Sequence, residues 1–156
     1  MLYLCLSLFS ALIVAADQVS KYLTVKNIPL GGHKELLHGF LCLTYAQNTG
    51  GGWSIFSDHT WVLAAVSLVF FALMILAVAK KFFTGKAQLI CIFAVLGGGI
   101  GNFIDRVRLG YVVDMIETEF ISFPIFNVAD CFISCGAIAL VLFVLLEDIL
   151  KGRKKA

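Results

Sequence analysis

The sequence predicts an all-α membrane protein with four transmembrane helices. Of its 156 residues, 60% are hydrophobic and only 14% are charged, whereas about a quarter of the residues in a soluble domain are charged. The mean hydropathy is +0.96, and the apolar residues are concentrated in four long runs. A helix needs about twenty residues to cross roughly 30 Å of hydrocarbon. With its flanking residues, each run is long enough.

The predicted spans cover about residues 2–23, 60–79, 87–104 and 130–149. The first run resembles the apolar region of a signal peptide, but no Lys or Arg precedes it, so we expect a retained span. Two long segments, 24–59 and 105–129, connect the spans. No repeat or low-complexity tract divides the chain. We therefore expect a single integral membrane domain over residues 1–156.

The connecting segments differ in character. Residues 40–47, "FLCLTYAQ", mix β-branched, aromatic and apolar side chains after a run rich in turn formers. This pattern predicts a small strand-and-turn element on the membrane surface. In the second segment, Pro124 blocks a continuous helix. There we expect an irregular or partly helical stretch resting on the bilayer.

The basic residues predict the orientation. One side of the membrane holds the short connection between the second and third spans together with the C-terminal tail. It carries seven basic and two acidic residues, a net charge of +5. The opposite side carries five basic and eight acidic residues, a net charge of −3. The positive-inside rule places both termini in the cytoplasm and the two long segments outside. Topology and anionic lipid account for the basic tail, so we expect no nucleic-acid partner.

Polar residues collect at the outward ends of the spans. A charge at the centre of a membrane helix costs about 2.5–3.5 kcal/mol, and less near the interface. The residues in question are Asp17, Lys21, Asn102, Asp105, Arg106, Asp114, Asn127 and Asp130. This clustering at one depth is the first indication of a functional site.

Asp114 and Asp130 are candidates for a catalytic carboxylate pair. When two carboxyl groups lie close together, one pKa rises and the pair shares a proton. The charged member can then activate a water while the neutral member polarises a carbonyl, as in aspartic proteases. Separation along the sequence does not show that the two acids meet. Two unrelated interfacial acids remain the alternative.

Two further pairs have the i, i+4 spacing of one helix face. Asp17 and Lys21 form either an ion pair at a helix end, with the lysine reaching toward water, or a pair that holds substrate or orients other residues of the site. Asn102 and Arg106 could hold a carboxylate or the phosphate of a lipid headgroup.

Other patterns favour packing over chemistry. Gly97 and Gly101 have the small-xxx-small spacing of closely packed membrane helices. Cys131 and Cys135 share a helix face, but no histidine is near them in the sequence. We therefore expect no metal and no cofactor.

Taken together, four motifs resemble those of lipoprotein signal peptidases, also called signal peptidase II. They are "DQVSK", "QNTGGGWS", "GGGIGNFIDR…VVDM" and "FNVAD", in the family's order and spacing over nearly the whole chain. The resemblance implies an aspartic endopeptidase of the bacterial inner membrane. Its substrates would be prolipoproteins that carry diacylglycerol on a cysteine, cut just before that cysteine.

The resemblance also implies residue roles. Asp114 and Asp130 match the catalytic pair. The residues that match the lining or support of the site are Asp17, Lys21, Asn48, Asn102, Arg106 and Asn127. The family fold adds an extracytoplasmic β-cradle and a surface helix, and the cyclic peptide globomycin inhibits family members at this site.

This sequence departs from the family pattern at two places. The run Gly50–Gly52 and Trp53 stand where small residues and phenylalanine are usual, and Met115 stands where phenylalanine is common. A small proton-coupled transporter, in which intramembrane acids relay protons, is the alternative function. Its acids would continue across the membrane, whereas these cluster at one face.

Overall fold

The computed structural model describes residues 1–51 and 59–153. The helices are α1 (Leu2–Asn27), α2 (Thr60–Ala79), α3 (Lys86–Leu109) and α4 (Val128–Arg153), and the strands are β1 (His33–Leu37), β2 (Leu41–Asn48) and β3 (Val112–Thr118). All four helices are long and apolar enough to cross a membrane, which confirms the predicted class. Gly52 and Trp53 lie outside the described residues.

The helices extend beyond the predicted bounds at the end that carries the polar residues. α1 continues to Asn27, and α3 continues to Leu109. α3 stops at Gly110, whose φ of 79° is left-handed and whose N–H donates to the carbonyl of Arg106, the usual way in which a glycine ends a helix. The predicted spans were too short because hydropathy identifies only the apolar part of a helix.

The strands form one antiparallel sheet in the order β1-β2-β3. β2 confirms the strand predicted in the first connecting segment. The prediction of an irregular or partly helical second segment is wrong for residues 112–118, which pair with β2. Ala46 lies opposite Asp114, and Asn48 lies opposite Val112. Residues 110–127, all of them described, contain no helix, so the expected surface helix is not found there.

The two faces of β3 have different surroundings, because successive strand residues point to opposite sides. Val113 and Met115 are buried in a cluster with Ile28 and Tyr45 at the end of α1. Met115, one of the departures from the family pattern, therefore packs behind the sheet. Asp114 points to the other side, into a cavity.

α3 is the central helix of the bundle and contacts the other three. Its glycines allow this close approach. A Cβ atom added at Gly98 would lie 2.4 Å from the carbonyl oxygen of Ala129, and one added at Gly101 would lie 2.5 Å from Oδ2 of Asp17. One added at Gly97 would lie 3.0 Å from the carbonyl oxygen of Ser10, so the prediction that Gly97 and Gly101 serve close helix packing is confirmed. By contrast, α2 exposes most of its Leu, Val and Phe side chains, as expected of a helix that faces lipid.

Candidate active site

A cavity of about 700 Å³ lies beside the sheet at the beginning of α4. Both Asp114 and Asp130 line it. The other residues around it are Ala46 to Gly51, Asn102, Arg106, Val112, Phe123 to Phe126, Cys131 and Ser134. The structure thus brings the two sequence-predicted acids to the walls of one cavity, although β3 and α4 contribute them separately.

The loop between β3 and α4 explains how they meet. After β3 the chain returns, and Phe126 forms an isolated antiparallel bridge with Ile116. Its carbonyl accepts from the backbone N–H groups of Met115 and Ile116, at 3.0 and 2.8 Å. Asn127 follows immediately, so the start of α4 lies next to the middle of β3.

Asp114 is 2% exposed, and both of its carboxylate oxygens accept amide hydrogens. The side-chain amide of Asn48 donates to Oδ2 at 3.0 Å, and that of Asn127 donates to Oδ1 at 2.6 Å. Asn48 lies two residues along β2 from Ala46, the residue opposite Asp114, and is therefore on the same face of the sheet. The sheet register therefore places it correctly for this bond.

Asp130 is held in the same way. The side-chain amide of Asn102 donates to its Oδ1 at 2.7 Å, and the backbone N–H of Asn127 donates to its Oδ2 at 3.2 Å. In return, Oδ1 of Asn127 accepts from the backbone N–H of Asp130 at 2.9 Å. This reciprocal pair is a capping arrangement at the beginning of α4. All four carboxylate oxygens of the two acids thus accept an N–H.

Burial raises the pKa of Asp114 to about 6, and the nearby charge of Asp130 contributes in the same direction. The hydrogen bonds from Asn48 and Asn127 and the charge of Lys21 favour the ionised form and oppose this shift. Burial nevertheless dominates. A carboxyl group with such a pKa can exchange a proton near neutral pH, which ordinary aspartates cannot do efficiently.

A second polar cluster lies behind the acids, between α1 and α3. Nζ of Lys21 lies 2.8 Å from Oδ2 of Asp17 and 2.9 Å from Oδ2 of Asp105. It also donates to Oδ1 of Asn102 at 2.8 Å. All four residues are at most 5% exposed. The Asp17–Lys21 pair is therefore part of a buried network next to the cavity and not an exposed ion pair at a helix end.

Sequence reasoning gave no role to two members of this cluster. From the sequence, Asp105 is one interfacial acid among several, and Gln18 carries no signal of a role. Gln18 donates to Oδ1 of Asp105 at 2.9 Å and to Oδ2 of Asp17 at 3.2 Å. The position of Asp105, three residues after Asn102 on α3, was the available signal, because residues three apart share a helix face.

Arg106 lines the same cavity as the two acids. Its Nη2 donates to the carbonyl of Gly50 at 3.4 Å. Its Nε is buried and forms no hydrogen bond within the described part of the chain. Asn102 and Arg106 were predicted to hold a carboxylate or the phosphate of a lipid headgroup; Asn102 donates to the carboxylate of Asp130, and the role of Arg106 stays a prediction. Within residues 1–51 and 59–153, no group of three or more His, Cys, Asp or Glu is placed to hold a metal.

Comparison with known proteins places this chain in a family. The signal peptidase (SPase) II family model matches residues 9–146. A lipoprotein signal peptidase of Enterococcus faecalis is 45% identical over 141 residues, 90% of this chain and 88% of that protein. One from Streptococcus pyogenes is 39% identical over 137 residues, 88% of this chain and 90% of that protein.

The fold agrees with the sequence comparison. A solved bacterial membrane enzyme superposes with a TM-score of 0.85 at 32% identity, covering 91% of this chain and 87% of that structure. A second one has a TM-score of 0.81 at 31% identity and covers 88% and 90%. Sequence and fold agree over nearly the whole chain, and the chain therefore belongs to the signal peptidase II family.

Proposed function

We propose that this protein is a membrane aspartic endopeptidase that removes the signal peptide of bacterial prolipoproteins. It cuts just before a cysteine that already carries diacylglycerol. Relatives named lipoprotein signal peptidase support the substrate class. One observation supports the aspartic mechanism: Asp114 and Asp130 line one cavity, and amide donors hold every oxygen of the two carboxylates.

In the proposed reaction, the two acids share one proton. The ionised carboxylate takes a proton from a water, whose oxygen attacks the carbonyl carbon of the scissile peptide bond. The neutral acid donates its proton toward the carbonyl oxygen, which stabilises the tetrahedral intermediate. When the carbon–nitrogen bond breaks, the leaving amine takes the proton first removed from the water. The carbonyl re-forms, and the hydroxyl proton of the intermediate returns to the pair.

The four amide donors orient the carboxylates for this exchange. Asn48 and Asn127 fix Asp114, and Asn102 and Asn127 fix Asp130. None of these residues ionises, so they position the pair without competing for its proton. This is preorganisation of the kind that catalysis requires. Arg106, whose guanidinium faces the cavity, would bind a carbonyl or phosphate oxygen of the substrate.

The protein is proposed to lie in the bacterial cytoplasmic membrane, with both termini in the cytoplasm and the site near the outer face. Two observations support this placement. The charge asymmetry of the connecting segments favours it, and the polar residues occur at the end of α1 and α3 and at the beginning of α4. Those three positions lie at one end of the bundle. The small sheet then serves as an extracytoplasmic cradle over the site.

At that depth the helix of the signal peptide remains in lipid while its scissile bond reaches the cavity. The diacylglyceryl chains stay in the outer leaflet, and the apolar wall formed by Phe123 to Phe126 faces the lipidated part of the substrate. Globomycin, a cyclic peptide, is proposed to occupy the same cavity. The transporter alternative has no support among the relatives.

A cleavage assay on a purified diacylglyceryl precursor tests this function. The protein should cut it without any ion gradient, and strong chelators should leave the rate unchanged. A precursor with an unmodified cysteine should be cut far more slowly. Equal cleavage of both precursors, or activity lost in chelator and restored by a metal, would contradict the proposal.

A further inference from the structure

We infer that the buried cluster of Asp17, Lys21 and Asp105 is a positioning device that sets the separation of the two reacting carboxylates. Within it, Asp105 is the positioning residue for Asp114. This inference rests on the proposed function, since it presumes that Asp114 and Asp130 act as a pair. It adds to that function a structural cause for their spacing.

Each acid of the cluster holds the residue that precedes a reacting acid. Oδ1 of Asp17 accepts from the backbone N–H of Ala129 at 3.0 Å, and Asp130 is the next residue. Oδ2 of Asp105 accepts from the backbone N–H of Val113 at 3.1 Å, and Asp114 is the next residue. The first bond connects α1 to α4, and the second connects α3 to β3.

Lys21 joins these two contacts. Its ammonium group has three N–H donors, and three acceptors surround it: Asp17, Asp105 and Asn102, all within 2.9 Å. Asn102 in turn donates to Oδ1 of Asp130. A continuous chain of charge-assisted bonds therefore runs from the backbone before Asp114 to the backbone before Asp130. Such bonds are short and directional.

The cluster has little freedom to shift. A Cβ atom at Gly101 would lie 2.5 Å from Oδ2 of Asp17, so the carboxylate is packed against bare backbone of α3. Gln18 donates to Asp17, to Asp105 and to the carbonyl of Gly101. Gln18 and Lys21 therefore both bridge the two acids, which restricts their separation.

Stability alone does not account for this arrangement. Desolvation largely offsets the attraction within a buried ion cluster, so such clusters are weak stabilisers compared with apolar packing. The first turn of α4 already has a capping residue in Asn127. What the cluster adds is a defined position for two backbone segments from distant parts of the sequence. A misplacement of about 1 Å can cost on the order of a hundredfold in rate.

The test uses paired variants at Asp105 in the full-length protein. Asp105→Asn keeps an oxygen that accepts from the N–H of Val113. The new side-chain NH2 group replaces the oxygen that accepted from Gln18, and the amide of Gln18 can rotate so that its oxygen accepts instead. Asp105→Ala removes that acceptor. We expect kcat to fall about ten- to a hundredfold in Asp105→Ala with little change in KM, and to stay within about tenfold of wild type in Asp105→Asn.

Gln88→Ala is the matched control. Gln88 is buried on the same helix and donates to Glu147 of α4 at 2.6 Å, at the far end of the bundle. It should lower the unfolding temperature without lowering kcat. A wild-type kcat in folded Asp105→Ala would overturn the inference. If Asp105→Ala does not fold, Gln18→Ala decides, because it removes the bridge between Asp17 and Asp105: a kcat lowered severalfold with KM unchanged supports the inference, and a wild-type kcat overturns it.

Asp114→Asn, assayed in parallel, separates this inference from the proposed function. If Asp114→Asn retains turnover, the proposed carboxylate pair is wrong. If it is inactive while Asp105→Ala turns over like wild type, only the positioning role is wrong.

Discussion

The side chain of Asn127 donates to Oδ1 of Asp114 at 2.6 Å, and Asn127 is itself 0% exposed. Its backbone N–H donates at the same time to Oδ2 of Asp130, and its side-chain oxygen caps α4. One residue therefore contacts both acids and fixes the start of the helix that carries one of them. Asn127 therefore both caps α4 and orients the two acids of the proposed reaction.

Two substitutions of Asn127 test its capping oxygen and its amide donor. Asn127→Asp keeps the capping oxygen but loses the amide donor to Asp114 and places a third carboxylate beside the pair. We expect kcat lowered at least tenfold and also a lower unfolding temperature, because the new carboxylate is buried beside two others. Asn127→Ala should lose activity and also about 1 kcal/mol of stability, the usual cost of removing an N-cap. Thermal unfolding and turnover, measured on the same samples, check both. A fully active Asn127→Asp would show that the amide donor is dispensable.

The rate should depend on pH through Asp114. Burial raises the pKa of Asp114 to about 6, and the proposed reaction needs one proton on the pair, so the rate should fall as pH rises through this value. The hydrogen bond from Asn48 lowers the pKa of Asp114. In Asn48→Ala this bond is lost, so the falling limb of the pH–rate profile should move to higher pH. The profile contradicts the account if the limb stays in place or moves to lower pH.

The groups facing Asp114 determine the direction of that shift. Asp130 raises its pKa, whereas Asn127 and Lys21 lower it, and Asn48→Ala leaves these three unchanged. Asn48 also accepts from the backbone N–H of Gly50 at 2.9 Å, so KM is expected to change as well. The pH at which the rate falls does not depend on this change in KM.

Two glycines of α3 offer a matched pair for the packing of the cluster. In Gly101→Ala the new methyl meets the carboxylate of Asp17, and in Gly99→Ala it meets the ring of Phe71. Phe71 can turn, whereas Asp17 is held by Lys21 and Ala129. We expect Gly101→Ala to cost about 1–3 kcal/mol, as overpacking does, and to lower activity. Gly99→Ala should have the smaller effect on both; the reverse order would contradict the packing described for α3.

Labelling of single cysteines in a cysteine-free background tests the orientation. Cysteines at Lys34 and at Glu119 should react with an impermeant reagent from outside intact cells. A cysteine at Lys154 should react only after permeabilisation. The three positions report on β1, on the loop after β3 and on the C-terminal tail. Reversal at any of them would break the argument from charge asymmetry.

Local patterns predicted the helices well. The four apolar runs indicated all four, and the glycine spacing at Gly97 and Gly101 indicated close packing of α3. Both signals act over one helix and need no knowledge of the partner. The ends of α1 and α3 were missed, because their last turns are polar and are satisfied by contacts that hydropathy does not register.

The sheet and the buried cluster depend on contacts between segments that are distant in the sequence, and local patterns do not predict such contacts. Asp114 reaches the cavity only because Val112–Thr118 pairs with β2, in a register that puts Ala46 opposite it. A short mixed segment with a nearby proline gave no signal for that strand. Asp105 likewise looked like one interfacial acid among several, and its contact with Lys21 arises only when α1 packs against α3. The i, i+4 spacing indicated that Asp17 and Lys21 pair, but it gave no information about Asp105, which also contacts Lys21.

The most direct test of the account is turnover by Asp114→Asn and Asp130→Asn on a purified diacylglyceryl precursor, in membranes free of wild-type protein. Asparagine is nearly the same size as aspartate but cannot take a proton from water. Both variants should insert and unfold much as wild type does, and neither should give detectable cleavage. Substantial turnover by either variant would remove that acid from the mechanism and contradict the assignment of the carboxylate pair.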